Sequence, residues 1–307
     1  MDSQTKTFWK YFKRSRLAVG GLLMILLIFL VAGSASLIAP YDPGKTNVSL
    51  KLKPPSFQHF LGTDQLGRDV FSRMLYGSRI SLSVGFVAVA ISIFIGILVG
   101  AVAGYYGRWV DSVLMRFVDI MLCFPTFFLI LTVVALLGPS IFNIMLVIGI
   151  TSWMGTSRFV RAEFLSLRER DFVQAARALG MKDRRIIFRH ILPNGLAPVF
   201  VTATLDVATA ILVEAGLSFL GFGVQPPAPS WGNILTEGRT YIFDAWWLTL
   251  FPGFAILITV LSFNLLGEGL RDALDPRLRG RRSSMSNGQL TISSEQINDQ
   301  LLTVNGQ

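Results

Sequence analysis

Of the 307 residues, 52% are hydrophobic and 15% charged, and mean hydropathy is +0.55; a soluble domain could not hide that much apolar surface. The net charge of +9 would point toward nucleic acid in a soluble protein, but here the basic residues alternate with apolar blocks, which favours a membrane and no nucleic-acid partner. The single cysteine, Cys123, excludes an internal disulfide framework and a cysteine-based metal site.

Residues 1–16 carry Lys6, Lys10, Lys13, Arg14 and Arg16 ahead of the first apolar block, 17–39. That block is too long for a secretory signal and lacks a clear small-residue cleavage site, so it is predicted to be a retained anchor. In the segment 40–79, Gly62 and Gly67 allow turns, and Val70, Met74 and Leu75 space out an amphipathic helix at the outer interface. Asp64, Arg68, Asp69 and Arg73 are expected to be solvated there, pairing with one another or touching a solute.

Further apolar blocks follow at 80–105, 117–137, 141–157, 196–222 and 246–266, each about the length a helix needs to cross the hydrocarbon core. Long runs without two-residue alternation exclude barrel strands, so the prediction is an all-α integral membrane protein of six transmembrane helices. With the N-terminus inside, the segments 1–16, 106–116, 158–195 and 267–307 hold 21 of the 28 Lys and Arg residues. Both termini are therefore expected in the cytoplasm. Gly138-Pro139-Ser140 is a tight hairpin between spans three and four, and 223–245 is a Pro-rich outer loop with Gln225 and Trp231 as candidates for an outer gate. For Trp231, anchoring at the membrane surface is the competing role. The tail 283–307, rich in Ser, Asn, Gln and Thr, is expected to be disordered.

The long loop 158–195 is predicted to contain a helix from Arg161 that stops at Gly180, where a C-terminal cap is wanted, and a second short helix ending at the Pro193 boundary. Two helices broken at a glycine make a knob, and Ala175, Ala176 and Ala178 would let a partner approach one side closely. Gln174-Ala175-Ala176, Gly180 and Leu192-Pro193 resemble the EAA loop of ABC importer permeases, whose pattern is Glu-Ala-Ala, three residues, Gly, nine residues, Ile, one residue, Leu-Pro. Gln174 stands for the Glu and His190 for the Ile. The resemblance implies that this loop seats in a groove of a separate ATP-hydrolysing subunit.

Three further stretches are similar to the dipeptide, oligopeptide and nickel branch of these permeases: Leu61-Gly62-Thr63-Asp64-Gln65-Leu66-Gly67-Arg68-Asp69, Leu217-Ser218-Phe219-Leu220-Gly221-Phe222-Gly223 with Ser230-Trp231-Gly232, and Gly267-Glu268-Gly269-Leu270-Arg271-Asp272-Ala273-Leu274-Asp275-Pro276. The resemblance implies a type I ABC importer permease fold in the cell inner (plasma) membrane. It also implies a second homologous permease, one or two ATPase subunits and an extracytoplasmic solute-binding protein as partners. The chain would then be no enzyme and bind no cofactor itself, with ATP and Mg held by the ATPase subunit, and would form the path for di- or oligopeptides.

Charges within lipid are costly, so Asp119, Asp206 and Glu214 should face the protein interior, a partner or a water-filled path. They either line the path or hydrogen-bond neighbouring helices. Asp206 and Glu214, eight residues apart, fall near one helix face. Pro125 is expected to kink the span that carries Asp119. Intramembrane protease settings are missing around these aspartates, His59 and His190 are predicted on opposite sides of the membrane, and Pro43-Gly44-Lys45-Thr46 lacks the first glycine of a phosphate-binding loop.

Overall fold

The computed structural model describes residue 9 and residues 12–274; among these every regular element is helical, apart from one isolated antiparallel bridge between Thr63 and Asp69. The elements in chain order are α1 (Arg16–Ile38), a 3-10 turn (Val48–Leu50), α2 (Val70–Tyr106), α3 (Arg108–Leu122), α4 (Thr126–Leu137), α5 (Ile141–Arg168), α6 (Asp171–Ala178), α7 (Asp183–Ile186), a π-helical turn (Ile187–Ile191), α8 (Leu192–Phe219), α9 (Trp231–Arg239) and α10 (Trp247–Leu274). The tail 283–307 and most of the segment 1–16 lie outside the described residues.

Four helical runs are long and apolar enough to cross a bilayer: α1, α2, 183–219 and α10. The helices α3 and α4 pass only as a pair, bent by 80° at Cys123-Phe124-Pro125; the proline has no N–H to continue the ladder, so the kink falls where it was expected. Predicted span 141–157 belongs to α5, which is long enough but diluted by Asn143, Thr151, Ser152, Thr156 and Ser157. By length and composition the described residues therefore provide four spans, or five with the bent pair.

Three local expectations are corrected. The predicted interfacial helix is not separate: Val70 to Tyr106 is one helix of 37 residues, so Met74 and Leu75 lie in the first turns of a span. Asp69 starts it by accepting the N–H of Ser72 at 2.8 Å, which satisfies one of the orphan donors of the first turn. The helix predicted from Arg161 to Gly180 breaks at Glu169-Arg170 into α5 and α6. Pro193 is no boundary, because α7, the π turn and α8 run on without interruption. Leu192 N–H donates to Ile187 O, five residues back; Pro193 needs no partner for a missing N–H, and the widened turn eases its ring past the carbonyl of Arg189.

Helix α2 is the axis of the bundle. The main core joins its Leu82, Val84, Ala88 and Val89 to Val134 of α4, Ile144 and Ile148 of α5, Val207 and Ile211 of α8, and Phe263 of α10. Against α5, α2 presents Gly96, Gly100 and Gly104, four residues apart and so on one stripe. A Cβ at Gly104 would sit 2.8 Å from Arg161 O, and one at Gly100 2.5 Å from Ser157 O. Without a hydrophobic force between helices in lipid, close backbone approach of this kind is what binds them, and only glycine permits it. Elsewhere large apolar side chains such as Phe94, Phe128, Leu136, Phe142 and Leu257 point outward. In water they would be a liability; in a bilayer or against a second subunit they are the appropriate surface.

Candidate functional site

At the end of the bundle where α2 and α5 stop, the connection 169–193 forms a knob with its own small core. Val173 and Ala176 of α6 turn inward onto Tyr105, Val160, Phe164, Ile186 and Ile191, all buried. Ala176 therefore belongs to the packing of the knob, while Gln174, Ala175, Ala178, Leu179 and Gly180 are exposed on its other side. Leu192 is half-buried and Pro193 exposed.

The end of α6 is closed by backbone geometry. Met181 N–H reaches Ala176 O at 3.2 Å and Gly180 N–H reaches Arg177 O at 2.9 Å, the paired bonds of a Schellman motif, with Gly180 at φ +70°. The predicted cap is thus in place. Gln174 Nε2 donates to the carbonyl of Arg168 at 3.2 Å, satisfying an orphan group at the end of α5. An ionised Glu at this position could not make that bond, since it only accepts.

Tyr105, the penultimate residue of α2, ties the knob to the bundle. Its hydroxyl donates to Asp183 Oδ1 at 2.6 Å, the guanidinium of Arg177 lies over its ring at 5.3 Å, and its carbonyl accepts from Arg168 Nη1 at 3.1 Å. Nothing in the loop's own pattern pointed to Tyr105; an aromatic hydroxyl at the end of a span was the available signal. A second tie, Arg161 to Asp111 at 2.6 Å between Nη2 and Oδ2, joins α5 to α3.

The opposite end carries a buried ionic cluster, where solvated charges were expected. Asp64, Arg68, Asp69 and Arg73 are each at most 3% exposed. Arg68 Nε donates to Asp64 Oδ2 at 2.6 Å and Nη2 to both oxygens of Glu237 at 3.0 Å, while Arg73 bridges Asp64 and the same Glu237. His59 Nδ1 lies 2.8 Å from Asp69 Oδ1. The turn before α2 is thereby fastened to α9. Burial opposes ionisation of Glu237, but hydrogen bonding and the charges of Arg73 and Arg68 outweigh it and hold the carboxyl below the ordinary glutamate range.

The intramembrane carboxylates separate into three situations. Asp119 pairs with Arg158 of α5, both half-exposed. Glu214 is fully buried and accepts from Ser218 Oγ at 2.7 Å and Ser230 Oγ at 2.9 Å, with Ser81 beside it. Asp206 is half-buried and has no hydrogen bond or ion pair among the described residues. The nearness of Asp206 and Glu214 around the helix axis does not bring them into one site, because Glu214 is committed to the α9 cap.

Of the outer-gate candidates, Trp231 is 4% exposed, with its indole N–H donating to Met74 O at 3.2 Å. As the first residue of α9 it packs with Met74 of α2, Ala215 of α8 and Ile256 of α10. Gln225 is exposed and its amide donates to the carbonyls of Gly221 and Gly223.

Residues 96–280 match the family of the binding-protein-dependent transport system inner membrane component, and residues 3–55 the N-terminal TM domain of oligopeptide transport permease C. The chain is 49% identical over 271 residues to the dipeptide transport system permease protein DppC of Alkalihalophilus pseudofirmus, covering 88% of this chain and 89% of that protein. It is 44% identical to a di/tripeptide permease of Pseudomonas aeruginosa, over 90% of this chain and 93% of the relative, and 42% identical to a glutathione permease of Pectobacterium atrosepticum, over 89% and 91%. Its fold resembles a chain of the inward-facing MetNI methionine ABC transporter, with a TM-score of 0.52 at 19% identity over 67% of this chain and 98% of that one. With more than half its length matching one family and relatives near half identity along most of the chain, the protein belongs to the inner membrane components of binding-protein-dependent transport systems.

Proposed function

We propose that the chain is the permease subunit of an ATP-driven importer of di- and oligopeptides, and that it takes its energy from a separate ATPase subunit docked on residues 171–193. The knob carries this reading. Its exposed side offers small residues, Ala175, Ala178 and Gly180, to a partner, while its buried side is tied through Tyr105, Arg168 and Asp183 to α2 and α5. A push on such an element reaches two long helices without being absorbed in a flexible loop. The names of the curated relatives support a peptide solute.

In this arrangement α5 supplies a sixth crossing, packed against the glycines of α2 at Thr156 and Ser157, and both termini and the knob face the cytoplasm, in keeping with the distribution of Lys and Arg. A second homologous permease completes the path, one or two ATPase subunits bind ATP and Mg, and an extracytoplasmic solute-binding protein delivers to the end capped by α9. Asp206 is the path-lining candidate, since it is the intramembrane carboxylate left without a protein partner among the described residues.

Reconstitution decides the matter. Proteoliposomes holding this permease, its companion permease, the ATPase subunits and the solute-binding protein are expected to accumulate dipeptide against its gradient with ATP and not with a non-hydrolysable analogue. Equal flux in both conditions would mean a passive pore instead.

A further inference from the structure

Asp119 is paired with Arg158 and Glu214 accepts from two serine hydroxyls, which leaves Asp206 as the intramembrane carboxylate with neither kind of partner among the described residues. It follows Leu196, where the apolar block begins, by ten residues, about 15 Å along the helix and close to the middle of a hydrocarbon core about 30 Å thick. A bare carboxylate facing acyl chains at that depth is costly, and Asp206 is half-exposed on this chain. Water or a cation has to meet it.

The neighbours of Asp206 specify what kind of group that is. Thr202, Asp206 and Thr209 are four and three residues apart and share one stripe of α8, distinct from the stripe that turns Val207 and Ile211 into the main core. Thr202 Oγ1 donates to Val199 O at 2.9 Å and Thr209 Oγ1 donates to Leu205 O at 3.1 Å. Both hydroxyl protons are thus spent on the helix backbone, and the stripe presents acceptors: a carboxylate with a hydroxyl oxygen one turn to either side. An anion or a carbonyl finds no donor there. An ammonium, with three N–H donors and no acceptor, can pair with the carboxylate and turn a further N–H toward either threonine. Arg271 lines a groove of about 430 Å³ with Thr202 and Leu205 but makes no ion pair with Asp206, so the described residues do not supply the cation themselves.

We infer that Asp206, flanked by Thr202 and Thr209, is the subsite in the path that takes the α-ammonium group of the peptide in transit. This deepens the peptide-permease reading and rests on it. Every unmodified peptide carries that group whatever its side chains, so a contact there holds the solute without restricting its sequence. A charge-assisted hydrogen bond of this kind strengthens binding by roughly ten- to a hundredfold, and a single such contact is weak enough for the solute to move on.

The test uses the assembled transporter in nanodiscs without the solute-binding protein, whose own selectivity would otherwise decide which peptides arrive. Equilibrium binding is measured for Ala-Ala and for isobutyryl-alanine, in which a methyl group replaces the ammonium and the shape is kept. Wild type is expected to bind Ala-Ala roughly ten- to a hundredfold more tightly; Asp206→Asn should bind both equally weakly, and Asp206→Glu should keep most of the preference. A merely structural role would weaken both ligands by the same factor, so an unchanged preference in Asp206→Asn would overturn the inference. No preference or no binding of Ala-Ala by wild type would overturn it as well, and so would loss of the companion permease from purified Asp206→Asn, which would assign the carboxylate to a subunit contact. ATP-driven uptake of Ala-Ala by wild type in the complete system keeps the failures apart: uptake with no role for Asp206 strikes this inference alone, whereas no uptake strikes the permease reading itself.

Discussion

Replacing Gly180 by valine is expected to abolish ATP-driven uptake, while asparagine at the same position leaves most of it. Gly180 holds φ +70°, where a β-branched residue is strained and asparagine is tolerated. Strain of about 1–3 kcal/mol is of the order that unmakes one capped turn, so valine should release the bonds from Gly180 and Met181 to Arg177 and Ala176. A Cβ at Gly180 would meet no atom within 4 Å, so the effect is conformational and not a clash within this chain. The main core lies elsewhere, so the variant should still insert and pair with its companion permease. Uptake into proteoliposomes, read beside co-purification of the ATPase subunits, separates the cases: the expected result is lost uptake with weakened ATPase binding, and full uptake by Gly180→Val would remove the knob from the mechanism.

Arg73→Leu should have the larger effect on stability. Arg73 is fully buried and bridges Asp64 and Glu237, so its loss leaves two carboxylates in a desolvated site with only Arg68 to share. Breaking such a cluster typically costs about 3–5 kcal/mol, enough to lower the unfolding temperature of the purified chain by several degrees or to prevent accumulation. Glu237→Gln, milder because the amide oxygen can still accept from Arg68 and Arg73 although one guanidinium loses its counter-charge, provides the pH test. Because the folded value of Glu237 lies below its ordinary one, its contribution is present above the ordinary glutamate range and is lost as pH falls through the folded value. Wild type should therefore lose stability on acidification below that range more steeply than Glu237→Gln. Identical pH profiles would mean that Glu237 contributes nothing by its charge.

Much of this was legible because local chemistry dictates it. Blocks of apolar residues had to become helices, Gly180 had to end one, and Pro125 had to bend another. What stayed hidden depended on partners far away in the chain. Arg73 meets Glu237 164 residues later, so its charges read as solvated when only their neighbours were in view. Ala176 belongs to a small-residue run that suits a partner surface equally on all sides, and only the position of Tyr105 and Phe164 decides which side is buried. The span at 141–157 is ambiguous for a related reason: its polar positions include Ser157, whose backbone is shielded by the glycines of α2.

The transport reading depends on which side of the membrane the knob occupies. A cysteine at Ala175, exposed in the structure, in a background with Cys123→Ser, can be challenged with a membrane-impermeant maleimide. Labelling is expected in inside-out vesicles and not in right-side-out ones, and it should be blocked when the ATPase subunit is bound. Labelling from the outside would leave no cytosolic partner able to reach residues 171–193 and would contradict the coupling of this chain to ATP.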